Sequence, residues 1–191
     1  MSNLIDKAQQ IPPGLFDKSV EFMVKDHEIY CQHDGQRFIY SEFPAWIIET
    51  IKDDMFNHPK ALKALVAWDI TDQDEQIRQY ICCRFGGYDN NPDISVDGQV
   101  SPAEYVQCGR RGKCAHEGKL CVSIVLDNGV LTKREVEVLV MIGQAKQDKE
   151  ICSDLAIEQN TLRNHKNSIE EKAGVQGKVA MAILAHKYQL V

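Results

Sequence analysis

Cysteine side chains give this 191-residue sequence its most evident capacity for chemistry, since it contains seven of them. Four are spread through a glycine-rich segment, where the backbone can bend so that thiolates converge. They are Cys83, Cys108, Cys114 and Cys121. Four soft ligands suit tetrahedral zinc, and Cys82 or His116 could replace one of them. We therefore expect a structural zinc site within residues 82–121. Free thiols are the alternative, because no Cys-x-x-Cys pair is present, and an iron–sulfur cluster on the same thiolates is another.

A second group of functional side chains lies on a predicted helix near the end of the chain. Arg163, Asn164, Lys166 and Asn167 alternate there with apolar residues at helical spacing, so one face is polar. Arginine and asparagine can hydrogen-bond to the edges of DNA bases, and lysine can pair with phosphate. This chemistry indicates nucleic-acid binding.

The helices that would position these residues begin at a capping signal. Thr132 can accept hydrogen bonds from the first turn, and Glu135 completes a capping box. The apolar positions predict a first helix that continues to about Ala145. A second helix follows, with Asp148 as its expected N-cap.

After a tight turn at Ala156 and Ile157, the third helix is predicted at about 160–173, where Gly174 would stop it. A last helix is expected over Lys178 to Tyr188. Two short helices around a turn of three to four residues, the second rich in Arg, Asn and Lys, are typical of a helix-turn-helix whose second helix enters the major groove.

The block from Leu131 to Val191 resembles a LuxR-type helix-turn-helix domain. The resemblance rests on Leu131, Thr132, Arg134, Glu135, Glu137, Val138, Leu139, Lys149, Glu150, Ile151, Leu155, Ile157, Thr161, His165, Ile169, Lys172, Gly174 and Val175. Two positions depart from the family pattern. Glu158 stands where a Ser or Thr cap is usual, and Gly143 and Ala145 reverse the usual place of glycine at the end of the first helix.

The resemblance implies which residues contact DNA. Arg163, Asn164 and Asn167 fall at the base-contacting positions, where Arg suits guanine and Asn suits adenine. The residues expected at phosphates are Lys149, Thr161, Lys166 and Lys178. His165 is expected either to contact DNA or to pack in the core.

The net charge also differs between the helix-turn-helix block and the rest of the chain. Residues 129–191 carry nine Lys or Arg against eight Asp or Glu, a net of +1. Thirteen basic and twenty acidic residues remain for 1–128, a net of −7. An acidic partner domain weakens sequence-independent attraction to phosphates, so this asymmetry favours a site-selective regulator over a protein that coats DNA.

The first part of the chain is expected to be an α+β domain over 1–126, followed by an all-α four-helix domain over 127–191. Pro12-Pro13-Gly14 indicates an arm within residues 1–20. A hairpin is predicted from His27–Cys31 and Arg37–Tyr40 around Asp34-Gly35. Helices are predicted over Pro44–Met55, from Pro59 to Val66, and over Thr71–Tyr80. A metal-stabilised loop would complete this domain.

These features predict a sequence-specific transcription regulator that is not an enzyme, because neither a P-loop nor a catalytic triad is present at a recognisable spacing. The expected partners are double-stranded DNA, a second copy of the chain and RNA polymerase. Since no apolar run is long enough to span a bilayer, no membrane partner is expected and the predicted location is the cytoplasm. The alternative function is a redox-sensing or protein-interaction module based on the thiols or a metal.

Overall fold

A computed structural model describes residues 12–188 and 190–191 of the chain. It separates two compact units, one up to Glu104 and the other from Tyr105 to Val191. Residues 1–11 of the predicted arm lie outside the described residues. Within the described part, no helix is long and apolar enough to cross a membrane.

The first unit begins with a three-stranded antiparallel sheet in the order β1-β2-β3. The strands are β1 (Val20–Lys25), β2 (Glu28–His33) and β3 (Gln36–Ile39). Asp34 and Gly35 both have positive φ, as a tight two-residue hairpin turn requires, so the predicted hairpin is confirmed. Sequence reasoning missed β1, which pairs with β2 along its whole length.

Helices complete this unit, and the predicted positions are close to the observed ones. A 3-10 turn (Tyr40–Glu42) leads into α1 (Ala45–Asn57), α2 (Pro59–Val66) and α3 (Gln73–Arg84). The Asp72 side chain caps α3 by accepting a hydrogen bond from the backbone N–H of Glu75, so α3 starts two residues later than predicted. It also continues four residues beyond Tyr80. The first unit thus combines an antiparallel sheet with helices, in line with the expected α+β class.

The second unit is mainly helical. A short hairpin of β4 (Val125–Leu126) and β5 (Gly129–Val130) precedes four helices. These are α4 (Lys133–Gly143), α5 (Asp148–Leu155), α6 (Gln159–Ala173) and α7 (Gly177–Lys187). Their core contains Val136, Leu139, Ile151, Leu162 and Met181, and each of these side chains is at most 2 % exposed.

Helices α4, α5 and α6 all end in the same way. A residue with positive φ follows each helix: Ala145, Ala156 and Gly174. The next N–H in each case donates to a carbonyl five residues earlier, which is the hydrogen bond of a Schellman motif. Gly174 therefore stops α6 as predicted. The prediction that the first helix reaches Ala145 is wrong, since α4 ends at Gly143 and Ala145 has left the helical conformation.

Gly143 is needed for helix packing, which explains why glycine and alanine stand in reversed positions at the end of α4. A Cβ placed on Gly143 would lie 2.7 Å from the Cβ of Ala185 in α7. Glycine is therefore needed for the close approach of α4 and α7, and Ala145 takes the left-handed position instead. Two other predicted helix starts also differ. Gln147 is the N-cap of α5 through a capping box with Glu150, so Asp148 is the first helical residue. The last helix starts at Gly177 and ends at Lys187.

Candidate nucleic-acid interface

Helix α6 presents one apolar and one polar face. Leu162 and Ile169 are buried in the core at 2 % and 0 % exposure. Arg163, Asn164 and Asn167 are exposed on the opposite side. Because residues three and four apart are neighbours on a helix, these three side chains form one continuous surface.

A buried carboxylate fixes α6 against the start of α4. Glu135 accepts hydrogen bonds from Ser168 Oγ at 2.6 Å and from Lys172 Nζ at 2.7 Å. It also accepts one from the backbone N–H of Thr132, which completes the predicted capping box. Although burial raises the pKa of Glu135, the hydrogen bonds from Lys172 and Ser168 bring it below its ordinary value. The carboxylate therefore stays ionised and holds the helix at a fixed rotation.

Another contact fixes the turn before α6. The guanidinium of Arg134 donates to Glu137 Oε2 and to the carbonyl oxygen of Leu155, both at 2.6 Å. Leu155 is the last residue of α5, so this bond ties the turn between α5 and α6 to α4. The N-cap of α6 is Glu158, whose side chain makes no capping hydrogen bond, and the helix starts one residue before the predicted position.

The three predicted base contacts keep their hydrogen-bonding groups available. Among the described residues, the side chains of Arg163, Asn164 and Asn167 make no hydrogen bond or ion pair, and all three are exposed. An arginine can donate two hydrogen bonds to guanine, and an asparagine can bond adenine as both donor and acceptor. The geometry thus leaves this surface chemically able to contact base edges.

The four predicted phosphate contacts differ in their surroundings. Lys149 on α5 and Thr161 in the first turn of α6 are exposed. Lys166 and Lys178 are already engaged with Asp148, at N···O distances of 2.9 and 3.4 Å. A cleft of about 480 Å³ lies between α5 and α6, and Lys149, Arg163 and Lys166 line it with Asp148. His165 is half-buried, and its two predicted roles both stay open.

The structure does not gather the predicted metal ligands. Cys83 lies on α3 in the first unit, whereas Cys108, Cys114 and Cys121 belong to the second. Within residues 12–188 and 190–191, no group of three or more His, Cys, Asp or Glu side chains could hold a metal ion. Zinc and the iron–sulfur cluster thus gain no support from this geometry and stay predictions, which metal analysis of the purified protein would check.

A buried arginine organises the segment that carries three of these cysteines. The Arg111 side chain donates to the carbonyl oxygens of Val106, at 2.8 Å, and Val122, at 2.6 Å. It also pairs with Glu117 at 3.5 Å, and both side chains are at most 3 % exposed. Glu117 in turn accepts a hydrogen bond from the N–H of Gly112. Charged side chains in loops are usually solvated, whereas the Arg111 residue as a whole is 5% exposed. Its satisfied donors instead hold residues 106–122 together.

Comparison with known proteins concerns the second unit. Residues 129–185 match the family model of bacterial regulatory proteins of the luxR family. The spore germination protein GerE of Bacillus subtilis (strain 168) is 47% identical over 49 residues, which are 26% of this chain and 66% of GerE. No solved structure matches.

Two further relatives from the same organism are named transcriptional regulatory proteins. LiaR is 39% identical over 61 residues, 32% of this chain and 29% of LiaR. LnrK is 38% identical over 58 residues, 30% of this chain and 26% of LnrK. The chain thus spans less than two thirds of the length of each relative it matches. Residues 129–185 form a helix-turn-helix domain of the luxR family of bacterial regulatory proteins.

Proposed function

We propose that this chain is a DNA-binding transcriptional regulator that recognises a specific sequence by placing α6 in the major groove. The proposal draws on the luxR-family domain at 129–185 and on relatives named as transcriptional regulators. In this arrangement Arg163, Asn164 and Asn167 contact base edges, while Lys149 and Thr161 contact phosphates.

The observation that carries the proposal is the state of the α6 surface. On α1, for example, the exposed Glu49 pairs with Lys52 at 3.3 Å. Among the described residues, Arg163, Asn164 and Asn167 have no such partner, although they share one face of a helix that Glu135 holds firmly. A rigid helix with free donors and acceptors favours direct contact with bases.

Operator selection followed by competition binding tests this proposal. The full chain would be used to select duplexes from a random library, and Arg163→Ala would then be compared with the wild type on the selected sequence. Loss of a bidentate contact to guanine should cost about 1–3 kcal/mol, a decrease in affinity of roughly 5- to 150-fold, and relax the preference at one base pair. Binding to unrelated DNA should change much less.

Arg37→Ala is the matched control, because Arg37 is an exposed arginine on β3 and its removal changes the net charge equally. The control should keep the affinity and preference of the wild type. The proposal would be refuted if no sequence were enriched, or if Arg163→Ala and Arg37→Ala bound the selected duplex equally well.

We further propose that the regulator binds as a homodimer through α7. Its inner face packs on the core through Met181, Leu184 and Ala185. Its outer face exposes Val179 and Ile183, which are 76% and 64% accessible and lie one turn apart. A second copy would cover this apolar pair, and two half-sites would then be bound together. Contact with RNA polymerase stays a prediction from the sequence.

A further inference from the structure

Among the described residues that line the cleft between α5 and α6, Asp148 is the one with a negative charge, the same sign as the charge of DNA. As the first residue of α5, it lies between two lysines from other helices. Its Oδ2 accepts a hydrogen bond from Lys166 Nζ of α6 at 2.9 Å, and its Oδ1 lies 3.4 Å from Lys178 Nζ of α7. One carboxylate thus bridges two cations that were expected to contact phosphates.

These ion pairs weaken the attraction of the two lysines to DNA phosphates. Lys178 also donates to the carbonyl oxygen of Lys146 at 2.6 Å, so two acceptors compete with any phosphate for its ammonium group. The hydrogen bond from Lys166 lowers the pKa of Asp148 below its ordinary value, so its negative charge persists at neutral pH. Lys149 and Arg163 line the same cleft and have no ion pair among the described residues.

The consequence is a surface with uneven electrostatics. Sequence-independent affinity comes almost wholly from cations that neutralise phosphates, whereas discrimination comes from contacts with base edges. Asp148 offsets two of the cations and leaves Arg163, Asn164 and Asn167 untouched. A regulator gains selectivity when its affinity for all other DNA is reduced, because specificity is a ratio of affinities.

We propose that Asp148 is a specificity-determining residue, which restrains Lys166 and Lys178 and so weakens binding to DNA of any sequence. This inference rests on the proposed function, since it assigns a role to a residue of the same surface. Asp148 acts through the two lysines rather than by touching a base.

Asp148→Asn tests the inference, because asparagine keeps the shape of the side chain and removes its charge. Binding of the full chain to a duplex of unrelated sequence would be measured by fluorescence anisotropy between 50 and 200 mM KCl. The variant should bind this duplex at least about fivefold more tightly at the lowest salt concentration. Its plot of log K against log salt should be steeper by about 1–2 units, since each additional phosphate contact adds about 0.9. Affinity for the selected operator should increase less, so the specificity ratio falls.

Asp154→Asn is the matched control. Asp154 lies on the same helix, pairs with Lys146 at 2.6 Å and carries the same charge, but it does not line the cleft. This control should leave the salt slope near that of the wild type. A second substitution, Lys166→Gln, should remove much of the gain when combined with Asp148→Asn.

The results separate the two ideas. If the wild type discriminates its operator through Arg163 but Asp148→Asn behaves like Asp154→Asn, the role of Asp148 is wrong and the proposed function stands. Weaker binding by Asp148→Asn would overturn the inference too, because Asp148 would then be orienting the lysines for DNA. If the wild type enriches no sequence and shows no dependence on Arg163, the proposed function itself fails.

Discussion

Glu21 is a carboxylate wholly enclosed in the first unit, on β1. Its Oε1 accepts a hydrogen bond from the backbone N–H of Asp89 at 2.7 Å, while its Oε2 has no hydrogen-bond partner among the described residues. Burial, and then the nearby charges of Asp89 and Glu104, raise the pKa of Glu21 to about 8. Asp93, also buried beside it, has a raised pKa for the same reasons. Ionisation of Glu21 therefore lowers the stability of the fold.

Stability of the first unit should therefore fall as pH rises. A carboxyl group with a raised pKa in the folded state stabilises the fold fully below its ordinary value of 4.5, and this contribution is lost as pH rises through about 8. We expect Glu21→Gln, which cannot ionise, to become increasingly more stable than the wild type between pH 5 and 8.5. The difference should reach a few kcal/mol, since one pKa unit corresponds to about 1.4 kcal/mol.

Urea unfolding at several pH values measures this difference. Both tryptophans of the chain, Trp46 and Trp68, lie in the first unit, so their fluorescence follows that unit alone. Glu28→Gln, at an exposed position of β2, should show the same pH dependence as the wild type. Parallel pH profiles for Glu21→Gln and the wild type would contradict the assignment.

Among the elements, α4 and α5 end with more backbone strain than α6. A residue in the left-handed conformation follows each of the three helices, but only after α6 is that residue a glycine, at φ +62°. Ala145 and Ala156 adopt φ +60° and +50° and carry a Cβ that crowds the following backbone. Each of these alanines should cost the fold about 1 kcal/mol.

Ala145→Gly should thus stabilise the second unit by about 1 kcal/mol, and Gly174→Ala should destabilise it by a similar amount. Hydrogen exchange of amides in α4 and α7, followed by mass spectrometry on the full chain, reports this unit separately. Each substitution is the control for the other, because one removes and the other adds a methyl group at an equivalent left-handed position. An equal loss of protection in both variants would show that the left-handed conformation is not what decides stability here.

Much of the helical unit was predictable because its signals are local. The capping box of Thr132 and Glu135 and the stop at Gly174 involve residues close in sequence, and both were found where expected. The bounds of α6 were predicted to within one residue for the same reason. The hairpin around Asp34-Gly35 has an equally local signal.

What sequence reasoning missed depends on contacts between distant residues. β1 was overlooked because the consecutive apolar residues Phe22, Met23 and Val24 interrupt the expected alternation of apolar and polar residues, and only pairing with β2 defines the strand. The pairs of Asp148 with Lys166 and Lys178 span 18 and 30 residues, so Asp148 was interpreted as a helix cap. Arg111 was missed because a charged side chain is seldom buried, and only the fold supplies the carbonyl groups of Val106 and Val122.

For the whole molecule, the proposed dimer sets the length of DNA that can be bound. We expect Ile183→Ser to raise the dimer dissociation constant at least tenfold, because burying an aliphatic side chain contributes about 1.5–3 kcal/mol and each dimer would lose two. Analytical ultracentrifugation measures the dissociation constant, and binding to duplexes with one or two half-sites shows whether cooperativity is lost with it.

Val66→Ser is the control for this experiment, since Val66 is a 53% exposed aliphatic residue at the end of α2. It should leave self-association unchanged. An unaltered dissociation constant in Ile183→Ser would place the interface on another surface.

The packing of residues 105–124 determines how this chain can be divided for fusion experiments. The luxR-family match begins at residue 129, yet Ile124 is completely buried in the core that α4–α7 share, and Tyr105 packs against the same core. Tyr105 also donates a hydrogen bond to the carbonyl oxygen of Tyr188, just beyond α7. A graft cut at residue 129 would leave that core open on one side. The segment to transfer is thus residues 105–191, which form one compact unit and contain Arg111 and its loop together with α6.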